Sequence, residues 1–237
     1  MPADEKELIA LVEQRRSFLL NSDRRITIID YGVSSSRSTR TREEMRKGVQ
    51  STALVADLCK ASMPAFWATI LFKLIRKLEP SSCVELGSCV GISASYQAAA
   101  LEMNAKGELR TLEGSPETAA IARETLEGLN HRNVSVITGP FQETLKGVLE
   151  AAKPVDFLFN DGHHDHDAVI RYFHEVLPSL STEAVLVFDD ISWSPGMRKA
   201  WTQIEDDRRV AASIDLQRIG IALVGQNPAA KEKFRIR

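Results

Sequence analysis

The stretch Cys83-Val-Glu-Leu-Gly-Ser-Cys-Val-Gly91 decides how this chain is read. Ser82 to Leu86 is short and mostly apolar, which predicts a buried strand. Gly87 and Gly91 frame a turn, and the alanine-rich run from Ile92 to Leu101 predicts a helix after it. A strand that feeds a helix through glycines offers free backbone N–H groups and the positive end of a helix dipole to a ligand. Gly87 has no Cβ, so the backbone can approach that ligand closely. An α/β domain also uses such a turn simply to pass from strand to helix. The stretch alone leaves both readings open.

Working outward, the sequence alternates. Strands are predicted at 82–86, 108–113, 133–138, 154–160 and 184–189, and helices at 91–104, 116–129, 141–152, 165–180 and 195–206. Apolar strands in regular alternation with helices imply a parallel sheet covered on both faces. The segments 210–217 and 220–225 are strand-like but too close for a helical crossover, so an antiparallel pair closes the sheet edge. The expected fold class is α/β: a Rossmann-like, seven-stranded, mostly parallel sheet with a C-terminal antiparallel hairpin and an N-terminal helical extension. Upstream, residues 64–78 carry Phe66, Trp67, Ile70, Leu71, Leu74, Ile75 and Leu78 on one helical face. Residues 4–20 and 43–61 also read as helices, with a short strand within Arg24 to Tyr31 that carries Ile26, Ile28 and Ile29. The loop Gly32 to Arg42 is rich in serine and carries arginines at 37, 40 and 42, suited either to an anionic substrate or to solvent. Residues 1–63 are expected to form an extension covering the site, and 64–237 the main domain.

The chain has 237 residues, of which 43% are hydrophobic and 26% charged, and its net charge is −2. That is enough for one sizeable core. It gives no global sign of nucleic acid or an anionic membrane as partner. Cys59, Cys83 and Cys89 have no zinc or disulfide spacing, and the acidic N-terminus does not resemble a signal peptide. A cytoplasmic protein with reduced thiols is expected, and Cys89 reads as a small packing residue.

Ligands of open parallel sheets bind at the C-terminal ends of the strands. Here those ends carry Glu85 and Gly87, then Glu113-Gly114-Ser115, then Gly139-Pro-Phe141-Gln142, then Asp161-Gly-His-His164, then Asp189-Asp190. A carboxylate at Glu113 can accept from both hydroxyls of a ribose. A dinucleotide fingerprint would want glycine where Cys89 and Ile92 stand, which weighs against NAD.

The pattern Glu85-x-Gly87-x-x-x-Gly91, the order of elements and the closing hairpin resemble class I S-adenosylmethionine-dependent methyltransferases over about residues 64–225. The resemblance implies that Gly87, Ser88, Gly91 and Ser93 hold the methionine part and that Glu85 orients the turn and the amino group. It also implies that Glu113, Gly114 and Ser115 bind the ribose, and that Phe141 and Gln142 flank the adenine. Phe141 is equally suited to packing at its helix start.

Asp161, Asp189 and Asp190 end two strands read as neighbours. Crowded carboxylates repel, and a divalent cation such as Mg²⁺ would relieve that repulsion and acidify a bound hydroxyl. The set is similar to the small-molecule O-methyltransferases. Catechol-type enzymes carry Asp and then Asp-Asn, and macrolide-sugar enzymes carry an acidic pair. Asp161-Gly-His-His164 resembles their Asp-Gly-x-His element, which implies His164 as general base beside Asp161, although the catechol type has lysine there. Asp165 can equally N-cap the following helix, and Trp193 can wall the acceptor pocket or pack in the core. The function implied is O-methylation of a small hydroxylated metabolite or sugar, with no membrane and a homodimer admitted. A NAD-dependent oxidoreductase and a non-catalytic cofactor-binding module are the alternatives. RNA or protein methylation is disfavoured by the acidic charge and by Asn160-Asp-Gly-His163 where Asn/Asp-Pro-Pro-Tyr would stand.

Overall fold

The computed structural model describes residues 1–32, 40–225 and 231–236. Within them the expected alternation is present. Strands β3 (Ser82–Leu86), β4 (Glu108–Glu113), β5 (Val134–Thr138), β6 (Val155–Asn160) and β7 (Leu180–Phe188) are parallel. They are joined by α5 (Ile92–Met103), α6 (Pro116–Gly128), α7 (Phe141–Ala152) and α8 (His166–Val176). After α9 (Pro195–Asp206), strands β8 (Val210–Asp215) and β9 (Gly220–Gly225) form the antiparallel hairpin, with β9 lying against β7. With a last strand, β10 (Glu232–Arg235), the sheet order is β10-β8-β9-β7-β6-β3-β4-β5. The chain therefore reverses direction across the sheet between β3 and β6, which is where open sheets of this kind bind ligands.

Three boundaries differ from expectation. The sheet has eight strands, because β10 (Glu232–Arg235) adds to β8 in parallel. The charged sequence of β10 hides a strand from any hydrophobic pattern. The helix expected over 43–61 is instead α2 (Arg42–Lys47), β2 (Val49–Leu54) and α3 (Val55–Ala61). Gly48, at φ 78, ends α2 and turns the chain into a strand that pairs with β1 (Arg25–Asp30) from Arg25↔Leu54 to Asp30↔Val49. Finally, β7 starts at Leu180, because Pro178 ends the preceding helix in a short 3-10 turn.

The sheet has a hydrophobic core on each face. One holds Leu145, Tyr172, Phe173, Phe188 and Trp201 beneath α7, α8 and α9. The other joins Phe72, Ile75 and Tyr96 to Val12, Leu19, Ile26, Cys59 and Met63 from the N-terminal third. Residues 1–63 thus share a core with the sheet rather than making their own. In α4 (Ala65–Leu78) the buried side chains are Ala68, Leu71, Phe72 and Ile75, so the helix is rotated relative to the expected face and leaves Phe66 and Leu78 exposed. Helix α1 (Ala3–Leu20) is tied to α5 by a hydrogen bond from the Tyr96 hydroxyl to Glu13 (2.7 Å). β1 is tied to α6, since Thr27 N–H donates to Glu117 (2.8 Å) and Ile29 N–H to the Ser115 hydroxyl (3.2 Å). These bonds occupy donors that would otherwise be open on the β1 edge.

Candidate functional site

The strand ends are hydrogen-bonded to one another. Gly87 N–H donates to Leu112 C=O (2.9 Å), Asp161 N–H to Leu86 C=O (2.9 Å) and Asp189 N–H to Asn160 C=O (3.0 Å). The turn after β3 therefore has a fixed position relative to β4 and β6. Gly87 sits at φ 99, and a Cβ there would lie 2.7 Å from the Asp161 carbonyl oxygen. Gly91 begins α5 at φ 88, packed against Ala122, and no side chain caps the helix. The first N–H groups of α5 thus keep their capacity for a ligand.

A cavity of about 320 Å³ opens over this turn. Gly87, Ser88, Ser93, Glu113, Gly114, Phe141, Asp161 and His164 line it, and each was expected from the sequence. Glu113 accepts from the N–H groups of Cys89 (3.0 Å) and Ser115 (2.9 Å), and burial pushes its carboxyl up to about 7 against those bonds. Cys89 has a left-handed backbone (φ 47), and burial and then Glu113 push its thiol up to about 12, so it is not a nucleophile.

Other expected contacts lie elsewhere. Glu85 is fully buried behind the turn and does not face the cavity. It accepts from Gln97 Nε2 (2.7 Å) and from the Thr111 hydroxyl, which in turn bonds Ser88 Oγ (2.6 Å). It therefore reaches the turn through Thr111 and Ser88. Burial pushes its carboxyl up to about 7. Ser115 is turned toward β1, and Gln142 donates to the Arg46 carbonyl (3.1 Å) in an adjoining cavity of about 370 Å³.

The N-terminal third supplies lining that was not expected residue by residue: Ile29, Asp30, Tyr31 and Gly32 from the end of β1, and Ala61, Ser62 and Met63 after α3. The Tyr31 ring lies so close to Gly114 that a Cβ there would meet it at 2.7 Å. Asp30-Tyr31-Gly32 repeats the pattern of an acidic residue and a glycine at a strand end, which was the available signal. Of the serine- and arginine-rich loop, residues 33–39, including Arg37, fall outside the described residues. Arg40 pairs with Asp30 (2.6 Å).

His164 Nε2 lies 3.4 Å from Asp161 and 3.6 Å from Asp190. It is buried and makes no well-formed hydrogen bond among the described residues. Burial disfavours the imidazolium, but Asp161 and then Asp190 and Asp189 outweigh it and raise the imidazole above its ordinary range. Burial, and then the charge of Asp189, raise the Asp161 carboxyl as well. The Trp193 ring lies 5.3 Å from the His164 ring. His163 is a packing residue, bonded to the Tyr172 hydroxyl (2.9 Å) and kept neutral by burial. Asp165 N-caps α8, accepting from Ala168 N–H (2.9 Å).

The acidic trio differs from the expected cation site. Arg218, in the β8–β9 turn, grips Asp189 with both Nε (3.0 Å) and Nη2 (2.9 Å) and lies 3.3 Å from Asp190. Among the described residues, no three His, Cys, Asp or Glu side chains are arranged to hold a metal ion. Arg218 carries no motif, and only the fold brings it to the strand ends.

Residues 84–191 match the sequence profile of a methyltransferase domain. No curated protein sequence matches the chain. Among solved structures, an O-methyltransferase from Bacillus cereus in complex with SAH is 25% identical at a TM-score of 0.60, over 72% of this chain and 86% of that one. TomG from Streptomyces achromogenes, an O-methyltransferase of tomaymycin synthesis solved with SAM, is 22% identical at 0.59, over 70% and 82%. The SAH-bound Podospora anserina methyltransferase PaMTH1 is 17% identical at 0.63, over 95% and 89%. The last two are likenesses of fold.

Proposed function

We propose that this chain, a class I S-adenosylmethionine-dependent methyltransferase, methylates a hydroxyl oxygen of a small acceptor, with His164 as general base and Asp161 as its partner. One observation carries the reading. His164 Nε2, held 3.4 Å from Asp161 and 3.6 Å from Asp190, lies at the wall of the same cavity as the Gly87 turn and the Glu113 carboxylate. That nitrogen makes no well-formed hydrogen bond among the described residues, so an acceptor hydroxyl entering the cavity would find it able to bond.

The residues fit the cofactor. Gly87 leaves a space that any Cβ would fill, the start of α5 keeps open N–H groups for a carboxylate, and Glu113 suits the ribose hydroxyls. Bound there, S-adenosylmethionine supplies a sulfonium methyl that an acceptor oxygen takes in line, the C–O bond forming as the C–S bond breaks. The protein's own work is positional and acid–base. His164 Nε2 takes the hydroxyl proton, and Asp161 stabilises the resulting imidazolium. Trp193 packs beside the His164 ring and helps fix it, and Tyr31 closes the pocket over Gly114. No step is assigned to a divalent cation, because Arg218 already occupies both oxygens of Asp189. The reading includes a small-molecule acceptor, given the TomG likeness, and a cytoplasmic setting in which the buried thiols stay reduced.

Calorimetry with S-adenosylmethionine, SAH and NAD tests this. Binding of the first two, and its weakening in Glu113→Ala, is expected. NAD binding without S-adenosylmethionine binding would overturn the assignment. The Cys89 side chain stands where a pyrophosphate would need a glycine.

A further inference from the structure

Three carboxylates meet at the ends of β6 and β7, and what neutralises them decides how the acceptor side works. Asp189 is 1% exposed. Its two oxygens take the parallel bonds from Arg218 Nε and Nη2 at 3.0 and 2.9 Å, a bidentate pairing that holds a guanidinium firmly. Nη2 is also 3.3 Å from Asp190 Oδ1, while Asp190 Oδ2 is 3.6 Å from His164 Nε2 and Asp161 Oδ1 is 3.4 Å from the same nitrogen. The groups thus form one alternating row: Asp189, Arg218, Asp190, His164, Asp161.

The arginine is anchored at its backbone as well. Its carbonyl accepts from Ile191 N–H (2.9 Å) and its N–H donates to Leu216 C=O (2.9 Å). Both its main chain and its side chain are therefore fixed to the loop that carries Asp189 and Asp190. Asp190 has a left-handed backbone at φ 52, a strained geometry of the kind that persists where surrounding contacts impose it. A hard divalent cation needs these same oxygens at short range. A guanidinium cannot lose its proton to make way, so the metal would have to displace Arg218 bodily.

We propose that the Arg218 guanidinium stands in the place of the divalent cation among Asp161, Asp189 and Asp190. Acceptor positioning then uses a resident organic cation, and removal of Arg218 opens a metal site. This rests on the methyltransferase reading above. Arg218 is a positioning residue: it neutralises Asp189 and Asp190 and holds Asp190 toward His164, leaving the imidazole to work mainly against Asp161.

The test is Mn²⁺ binding, followed by electron paramagnetic resonance and calorimetry, on the full chain, Arg218→Met and the double variant Arg218→Met/Asp189→Asn. SAH binding is measured in parallel. The wild type is expected to show no saturable Mn²⁺ binding and no response of methyl transfer to EDTA. Arg218→Met should show saturable Mn²⁺ binding, because the carboxylate oxygens lose their resident cation, and the double variant should lose it again, since carboxylate count sets such affinities. Saturable Mn²⁺ binding by the wild type that Asp189→Asn abolishes would overturn the proposal. So would an Arg218→Met protein that folds and gains nothing. If that variant does not fold, Arg218→Gln is read in the same way, and the wild-type arm stands alone. Loss of SAH binding in the wild type would instead sink the methyltransferase reading, so the two failures are distinguishable.

Discussion

Replacing Gly87 by alanine should both unsettle the fold and disable the site, and the structure sets the scale. At φ 99 an L-residue is strained, costing about 1–2 kcal/mol. The new Cβ would lie 2.7 Å from the Asp161 carbonyl oxygen, 2.9 Å from its carbonyl carbon and 2.9 Å from Gly162 Cα. All three are backbone atoms, so no side chain can swing away, and overpacking of this kind adds about 1–3 kcal/mol. Together these give about 2–5 kcal/mol. In a chain of this size each kcal/mol lowers Tm by ~2–4 °C, so the apoprotein should melt on the order of 10 °C lower. The β3 turn must also move away from Asp161, which separates the cofactor side of the site from His164, so SAH affinity should fall. Thermal unfolding by circular dichroism and SAH calorimetry read the two effects. Gly147→Ala is the control: it is exposed in α7 with nothing within 4 Å of its added Cβ, and should gain about 0.5–1 kcal/mol. A Gly87→Ala protein that melts with the wild type and binds SAH equally well would refute the reasoning.

His164→Ala should lower kcat by about 10²–10⁴-fold, the usual worth of a positioned base, while SAH binding is retained. Methyl-transfer assays across a panel of small hydroxylated acceptors check it, and full activity would remove the base. Asp161→Asn removes the main charge that favours the His164 imidazolium, so the acid limb of the pH–rate profile should move to lower pH. An unmoved limb would disconnect the pair. Glu85 is raised to about 7 by burial, above its unfolded value near 4.5. The folded state therefore binds the extra proton, and this contribution is fully present below the unfolded value and lost as pH rises through about 7. Melting curves from pH 5 to 8 should show that decline flattened in Glu85→Gln, which keeps the neutral form at every pH.

The parts of this protein that follow local rules were legible. The order of strands and helices over 82–225, the Asp165 cap and the closing hairpin all rest on periodicity or on a capping residue, and all are present. The cavity-lining glycines and Glu113 were legible because strand ends of a parallel sheet converge whatever the details. What escaped was set by tertiary contact. β2 carries Gln50, Ser51 and Thr52, polar residues whose strand state comes from pairing with β1. Glu85 reads as a ligand contact by position, yet Gln97 and Thr111 claim its carboxylate from the next helix and strand. Arg218 lies 29 residues beyond Asp189 in a turn with no pattern of its own.

The wall formed by Ile29–Gly32 and Ala61–Met63 has an evolutionary corollary. These residues lie ahead of the 84–191 methyltransferase match, yet line the same cavity as the Gly87 turn. In principle such a wall could diversify freely and retune which acceptors enter. Here Met63 faces both ways: it lines the cavity and is also a buried member of the core that includes Ile26, Cys59 and Phe72. Selectivity and foldability are thus written in the same side chain. Drift toward new acceptors should accordingly run through paired exchanges, in which a change at Met63 is matched by repacking in α3 or α4.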